Sequence, residues 1–305
     1  MFMRVLLLFP MADGQTGPGI KHAFEQLGHT VRAVDAKKHP ENSYVVACQF
    51  KPDLVFCSRT AVLAGQVIAI KEKFKNIIAC TWQLDTRPNI GHWKLLFPLI
   101  RACDFYFVVA SRLVPKWRTI NPNTFWLPQG LQDEVYDKPK KITDNDSQKY
   151  TCDVCWAGDR GAVHEFRGRF LDTVAHTDVI FKQWGCSDNP QVYNEEHNKM
   201  VSLSKINLCI SGWPENEKYT SVRDYKILGA GGFALELYRK GIHGIFPADA
   251  LDCYATPRDL VKKIRHWLDH EGERKETAER GYGWVHANAT YTHRMKMALE
   301  YMGMR

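Results

Sequence analysis

The sequence predicts an α/β protein built from two doubly wound domains. Short apolar runs rich in β-branched residues alternate with segments of helical period, which is typical of a parallel sheet covered by helices on both faces. The alternation stops in a polar stretch at 133–150 and then starts again. A length of 305 residues also exceeds what one hydrophobic core usually holds, so two domains are expected.

The elements follow in chain order, and a linker at 133–150 separates a first domain (1–132) from a second (151–305). In the first domain, strands are predicted at 4–9, 30–35, 53–58, 76–85, 103–110 and 124–130, with a helix up to residue 27 and another at 60–74. In the second domain, strands are predicted at 152–158, 178–185, 205–212 and 233–237, with helices at 164–177, about 191–204, 221–228, 258–270 and 292–302. Sheets of this kind bind ligands at the loops that follow their strands, so we expect a cleft between the carboxyl-end loops of the two domains.

The composition indicates a cytoplasmic protein. The apolar core of the N-terminal stretch, Val5 to Phe9, is short and runs into a glycine loop, which fits a first buried strand better than an export signal. No run approaches the ~20 apolar residues that cross a bilayer. Nine scattered cysteines are typical of reduced thiols, and the lone CxxC at Cys152 and Cys155 favours a structural role. The net charge of +7 suggests a phosphorylated or polyanionic partner.

The most informative stretch is "SVRDYKILGAGGFALELYRKG", residues 221–241. Ser221 is placed to cap a helix, and Arg223 and Lys226 lie on one face of its first turns. A helix N-terminus already carries partial positive charge, so two cations there are unfavourable unless an anion binds. The pattern therefore predicts a diphosphate site at Ser221, Arg223 and Lys226.

Two glycines close the same helix. Gly231 and Gly232 would let the backbone approach the ligand, and they are predicted members of the site. The alternatives are that the glycines form a plain helix C-cap and that Asp224 offsets part of the cationic charge.

Two further loops are candidates for ligand contact. Gly158 and Arg160 follow a strand and precede a helix, an arrangement that can hold a phosphate, although Arg160 could equally solvate the helix. The loop "DGQTGPG" at 13–19 lacks the spacing of a nicotinamide fingerprint; it is either a tight turn or a ligand loop with Asp13 at its tip.

The C-terminal segments resemble the signature of the CgeB-like glycosyltransferases. The 221–241 stretch, "IFP" and "DLVKKIRHWLDHEGERKETAERGYGWVHANATYTHRM" are similar to that family's S-x-R-x-[FY]-E-I-L-x-x-GGF block and to its D-L-x-x-K-I-x-x-[YW]-L and H-x-T-Y-x-x-R motifs. The likeness covers about the last 90 residues. "WQLDTRP", "CDFYFVVASRLVPKW" and "WLPQG" agree more loosely with landmarks of the first domain.

This resemblance implies a GT-B fold, in which two Rossmann-like domains face each other and bind a nucleotide sugar without a metal or other cofactor, the donor being UDP-linked. It implies that Ser221, Arg223, Gly231 and Gly232 hold the diphosphate, that Gly158 and Arg160 line the opposite loop, and that Asp85 faces the sugar and acceptor. Two departures bear on the donor: Lys226 replaces the family's glutamate, and His243 and Gly244 replace an acidic pair.

Transfer would need a stabilised leaving group and a base. Arg223 and Lys226 would stabilise the departing diphosphate in place of a metal ion. Asp85 is the first candidate for the general base and Asp13 the second. Asp85 could instead cap a helix or pair with Arg87.

Three hypotheses concern the acceptor. A hydroxymethylated base in double-stranded (phage) DNA is suggested by the charge and by the basic, aromatic stretches "RPNIGHWK" and "RLVPKWR". A saccharide or cell-envelope glycan is the second hypothesis. A non-catalytic sugar-nucleotide-binding protein, suggested by the missing acidic residues, is the third.

Overall fold

A computed structural model describes residues 2–60, 62–160, 165–186 and 189–304. The strands are β1 (Arg4–Phe9), β2 (Thr30–Asp35), β3 (Leu54–Ser58), β4 (Ile78–Gln83), β5 (Phe105–Val108), β6 (Thr124–Trp126), β7 (Cys152–Ala157), β8 (Phe181–Trp184), β9 (Ser204–Cys209), β10 (Ala234–Leu237) and β11 (Asp252–Tyr254). The helices are α1 (Thr16–Gln26), α2 (Ser43–Phe50), α3 (Leu63–Lys73), α4 (Phe97–Ala102), α5 (Val114–Trp117), α6 (Asp144–Tyr150), α7 (Glu165–Ala175), α8 (Asn194–Leu203), α9 (Val222–Gly229), α10 (Pro257–Asp269), α11 (Glu271–Asn288) and α12 (Tyr291–Tyr301).

The chain divides into two compact units. Unit 1 contains the described residues of Met1–Gln132, Glu215–Tyr219 and Tyr291–Arg305, and unit 2 contains those of Asp133–Pro214 and Thr220–Thr290. The chain therefore crosses between the units more often than a single linker would require. The division differs from the predicted one, because 133–150 is part of unit 2 and the C-terminal helix is part of unit 1.

Unit 1 is a six-stranded parallel sheet in the order β2-β1-β3-β4-β5-β6. Its inner strands are nearly continuous apolar runs because helices cover both faces; β1 is buried from Val5 to Phe9. The C-terminal helix α12 joins this core through Tyr291 and Met295. A Cβ on Gly19 of α1 would lie only 2.7 Å from the Tyr291 ring, so glycine allows the two helices to pack closely.

Unit 2 is a five-stranded parallel sheet in the order β11-β10-β9-β7-β8. The predicted linker contains helix α6, which begins with a capping box: the Thr143 hydroxyl accepts from the Asp146 amide, and the Asp146 carboxylate accepts from the Thr143 amide. The two parallel α/β sheets confirm the predicted fold class.

The CxxC lies within β7. Residues three apart on a strand point to opposite faces, and accordingly the Cys152 thiol contacts Ser204 while the Cys155 thiol donates to the Asn207 side chain. The two sulfurs therefore do not form a chelating pair. No helix in the described part of the chain is both long and apolar enough to span a bilayer.

Candidate functional site

The candidate site in unit 2 lies where the connections of the sheet diverge. β7 leads to β8 on one side of it, whereas β9, which lies directly beside β7, leads to β10 on the other side. Open α/β sheets bind ligands outside the carboxyl ends of strands at such a topological switch point. Gly158 follows β7, and α9 begins after β9, so both predicted loops reach this position.

The N-terminus of α9 is fixed by serines. The Ser221 hydroxyl accepts a hydrogen bond from the Arg223 amide at 3.2 Å, so the predicted N-cap is confirmed. The Ser221 amide in turn donates to the Ser211 hydroxyl at 3.3 Å. These bonds hold the first turn of α9 against the end of β9.

Arg223 reaches from this turn across to the end of β7. Its Nε donates to the Ala157 carbonyl at 2.7 Å, and its guanidinium carbon lies 5.5 Å from the centre of the Trp156 ring. A Cβ on Gly158 would lie 2.3 Å from Arg223 Nη2, so only glycine admits the guanidinium here. Arg223 Nη1 is buried and has no hydrogen-bond partner among the described residues. The structure thus brings Gly158 and Arg223 together and leaves a donor unused.

Lys226 lies one turn further along α9, and its ammonium is 4.3 Å from the centre of the Tyr136 ring. Burial, together with the nearby charge of Arg223, lowers the pKa of Lys226 to about 8. Burial, together with the charges of Lys226 and Arg223, lowers the pKa of His197 to about 3, so this histidine is neutral. The surroundings of Lys226 therefore disfavour its charged form unless an anion binds.

No carboxylate in the described part of the chain forms an ion pair with Arg223 or Lys226. Asp224, between them in sequence, is completely buried and accepts from the Ser211 hydroxyl at 3.5 Å. Burial raises the pKa of Asp224, while Arg239 and Arg223 act in the opposite direction. Asp224 therefore offsets part of the Arg223 charge from the buried side, as the alternative above anticipates.

Asp224 belongs to a buried polar cluster beneath α9. Ligand atoms of Cys209, Asp224 and Glu236 lie within 4.8 Å of one another, which would suit a small cation. However, Glu236 is ion-paired with Arg239, and both side chains are fully buried. A metal ion would have to sit beside that guanidinium, so the donor set fits a charge-balanced cluster better than a metal site.

Gly231 and Gly232 do not reach the same place as Arg223. They follow the C-terminus of α9, which at 1.5 Å per residue lies about 12 Å from its N-terminus. Gly231 has a φ of +75°, and a Cβ on Gly232 would lie 2.3 Å from the Val201 side chain, so both glycines serve the turn and the packing. They line a separate cavity of about 210 Å³ at the amino ends of the strands. We therefore leave them out of the donor site.

Arg160, a predicted site residue, forms an ion pair within unit 2. Its guanidinium donates to the Asp172 carboxylate on α7, which agrees with the alternative that it solvates a helix. The loop that continues from it, 161–164, lies outside the described residues.

In unit 1, Asp13 and Asp85 both follow strands at the carboxyl edge of the sheet. Asp13 is exposed in the turn after β1, and Asp85 is exposed two residues after β4. Asp85 accepts from Arg59, which follows β3, and not from Arg87. The switch point of this sheet lies between β1 and β3, directly beside the Asp13 turn.

Comparison with known proteins identifies this architecture. A family model described as glycosyl transferase-like matches residues 165–300. The sucrose-phosphate synthase of Thermosynechococcus elongatus superposes with a TM-score of 0.68 over 99% of each chain at 10% identity. The chain has the GT-B fold. HepE of Anabaena, solved with UDP-glucose, has a TM-score of 0.68 at 9% identity over 99% of this chain and 100% of its own. A glycosyltransferase from Rickettsia africae has a TM-score of 0.65 at 11% identity over 99% and 98%.

The predicted GT-B fold is confirmed, and the glycosyl transferase-like match over 165–300 supports the predicted enzyme class, a nucleotide-sugar-dependent transferase. The resemblance to the CgeB-like subfamily remains a prediction, as do the cytoplasmic location and the site residues. No curated protein matches the sequence significantly.

Sequence reasoning missed several groups around the GT-B sites. Tyr136 and His197 were not singled out, although their rings meet edge to face at 5.4 Å beside Lys226. In unit 1 it missed Trp93, whose ring centre lies 5.2 Å from the guanidinium carbon of Arg59 and 5.9 Å from that of Arg87. Only the tryptophan in "RPNIGHWK" hinted at that cluster.

Proposed function

We propose that the chain transfers a sugar from a UDP-linked donor to an acceptor hydroxyl, and that the first turn of α9 binds the donor diphosphate. The observation that carries the proposal is Arg223, which is fixed at the switch point and whose buried Nη1 has no hydrogen-bond partner among the residues that the structure describes. The solved complex of HepE with UDP-glucose supports a UDP-linked donor for a chain of this fold.

The chemistry follows from charge. When the bond to the sugar breaks, negative charge develops on the diphosphate, and fixed cations and helix amides stabilise it most where water is excluded. Arg223 and Lys226 supply two positive charges for the two negative charges of a donor diphosphate. Gly158 contributes by leaving room for the guanidinium.

For the general base, we rank Asp13 ahead of Asp85. Asp13 lies beside the switch point of its sheet, whereas Asp85 is one strand further away and already accepts from Arg59. Taking a proton would cost Asp85 that ion pair. Asp13→Asn should therefore lower kcat by about 100-fold or more while leaving the donor KM nearly unchanged.

As the acceptor, we propose a hydroxymethylated base in double-stranded DNA. The Trp93 ring lies beside Arg59 and Arg87, and DNA recognition uses such cations for phosphates and aromatic rings for bases. Asn216 steadies this cluster by donating to the Arg87 carbonyl at 3.1 Å. A saccharide acceptor, which lacks phosphate charge, would have less use for these cations and is the second candidate.

The donor assignment is tested with a panel of nucleotide sugars, read as sugar transfer or as release of the nucleoside diphosphate. Arg223→Ala should reduce turnover by about 100-fold or more, as loss of a transition-state donor does elsewhere. Arg265→Ala removes an exposed arginine on α10 and is the matched control. Turnover of Arg223→Ala equal to that of the control would refute the assignment.

The acceptor assignment needs its own assay. Duplexes with and without hydroxymethylated bases are incubated with the donor that turns over, and the nucleosides are then examined by mass spectrometry. A hexose added to the hydroxymethyl base supports the proposal. Donor hydrolysis with no duplex binding at low salt rejects the DNA acceptor and leaves the glycosyltransferase assignment intact.

A further inference from the structure

The segment Glu215–Tyr219 belongs to unit 1, although the residues on both sides of it belong to unit 2. It lies in the connection from β9 to α9, so the chain leaves unit 2 after Pro214 and returns at Thr220. This connection runs from 210 to 221, whereas about two to six residues usually link a strand to the next helix. We call Glu215–Tyr219 the anchor segment.

Asn216 fixes the anchor segment in unit 1. It is fully buried, and its Nδ2 donates to the Thr86 hydroxyl at 3.0 Å and to the Arg87 carbonyl at 3.1 Å. Its Oδ1 accepts from Arg112 Nη1 at 3.4 Å. Both hydrogens and the oxygen of the amide are therefore used, as a buried amide requires. Because these partners follow β4 and β5, Asn216 joins two loops at the carboxyl edge of the unit 1 sheet.

The backbone of the anchor segment is held as well. The Glu217 carbonyl accepts from the Ser111 hydroxyl at 3.2 Å, and the Lys218 carbonyl accepts from Trp126 Nε1 at 3.2 Å. Lys218 has a φ of +52°, a left-handed conformation that is uncommon for a residue with a side chain. The segment is thus docked along its length in one defined conformation.

The anchor segment ends directly before the proposed donor site. Tyr219 is its last residue, Ser221 caps α9 two residues later, and Arg223 lies in the first turn of that helix. Each residue has only two soft dihedral angles, so a chain that is fixed at 219 leaves the first turn of α9 little freedom. A displacement of about 1 Å can cost a reaction about 100-fold in rate, and restraint of this turn therefore bears on catalysis.

We infer that Asn216 is a positioning residue of the donor site: it anchors Glu215–Tyr219 in unit 1 and thereby holds the start of α9, with Arg223, in the geometry that binds the diphosphate. The inference rests on the proposed function of α9. In this role Asn216 acts through the chain that joins it to Arg223 and not by contact with the donor.

The test uses the full chain. Asn216→Ala removes the anchor, so kcat for release of UDP from UDP-glucose should fall by about 10- to 100-fold, and UDP affinity in calorimetry should fall by about tenfold. Asn216→Asp keeps the size of the side chain and an acceptor for Arg112, whose charge neutralises the new carboxylate. It replaces the donating nitrogen with an oxygen that opposes the Arg87 carbonyl, and it should have the same effects if Asn216→Ala fails to fold.

Asn121→Ala and Asn121→Asp are the matched controls. Asn121 is also buried in unit 1, and its Nδ2 donates to the carbonyls of Ile100 at 2.9 Å and Cys103 at 2.8 Å, but it lies before β6 at the amino edge of the sheet. The substitutions at both positions should lower the free energy of unfolding in urea, since each removes a buried, hydrogen-bonded amide. The controls should nevertheless keep kcat and UDP affinity within about threefold of wild type.

Equal kcat and UDP affinity in the Asn216 and Asn121 variants would overturn the positioning role, because loss of a buried amide would then explain both. Activity lost in Arg223→Ala but kept in the Asn216 variants would do the same and leave the donor assignment intact. A wild-type chain that neither binds UDP nor turns over a nucleotide sugar would overturn the proposed function and the inference together.

Discussion

Donor binding should be accompanied by uptake of a proton at Lys226. Without ligand, burial and Arg223 hold the pKa of Lys226 at about 8 instead of its ordinary 10.5. A diphosphate beside the ammonium favours the charged form and raises this pKa again. If binding restores 10.5, uptake should be about 0.1 proton at pH 7, about 0.5 at pH 8 and about 0.75 at pH 8.5.

The same shift fixes the sign of the stability change in the free protein. The pKa of Lys226 is lower in the folded state than in the unfolded chain, so the unfolded chain binds more protons between about pH 8 and 10.5. Lys226 therefore makes folding more favourable as the pH rises through that window. Donor affinity has the opposite trend and falls as the pH rises above 8, because the charged lysine that the donor needs becomes rarer.

Isothermal titration calorimetry with UDP-glucose measures the uptake directly. The observed enthalpy is compared between buffers of different ionisation enthalpy at pH 7, 8 and 8.5, below the range in which the uracil ring ionises. Lys226→Met keeps the length of the side chain, removes the titrating group and should abolish the uptake. An uptake that does not grow from pH 7 to 8.5, or that persists in Lys226→Met, would refute the reasoning.

Three further substitutions test the roles assigned to Gly158 in ligand binding, to Gly232 in packing and to Thr143 in capping α6. Gly158→Ala places a methyl group 2.3 Å from Arg223 and should weaken UDP-glucose binding by about tenfold or more in calorimetry. Gly283→Ala, at an open position in α11, is the control and should leave the affinity unchanged. Equal affinities of the two variants would contradict the close approach of Gly158 and Arg223. Gly232→Ala overpacks its site and should lower the free energy of unfolding in urea by about 1–3 kcal/mol without changing the donor KM. A raised KM would indicate that Gly232 belongs to the donor site. Thr143→Ala removes the capping box and should cost about 1 kcal/mol in thermal unfolding, so an unchanged melting temperature would contradict that role.

The strands could be predicted because their burial is visible in the sequence. A parallel strand covered on both faces is a continuous apolar run, and β1 is such a run with the bounds that the pattern indicated. The edge strand β2 is partly exposed, but its β-branched residues also gave its bounds. The helix α6 could also have been found, since "TDND" places an acidic residue three positions after a threonine cap. The polar composition of this stretch favours a linker instead, which hides the helix.

The rest depends on contacts between residues far apart in sequence. No local sequence pattern indicates that Arg59 pairs with Asp85, 26 residues later. Nor does one indicate that α12 packs on the sheet of unit 1 and not on that of unit 2. The site at Arg223 was predictable because a helix N-terminus and its charges are local. Gly231 follows the C-terminus of α9, so the length of this helix separates it from Arg223.

The most direct test is a crystal structure of the protein with UDP-glucose. The account predicts diphosphate oxygens within hydrogen-bond distance of the Arg223 guanidinium and the first-turn amides of α9, beside Gly158. A diphosphate bound instead in the cavity at the amino ends of the strands, against Gly231 and Arg274, would contradict it.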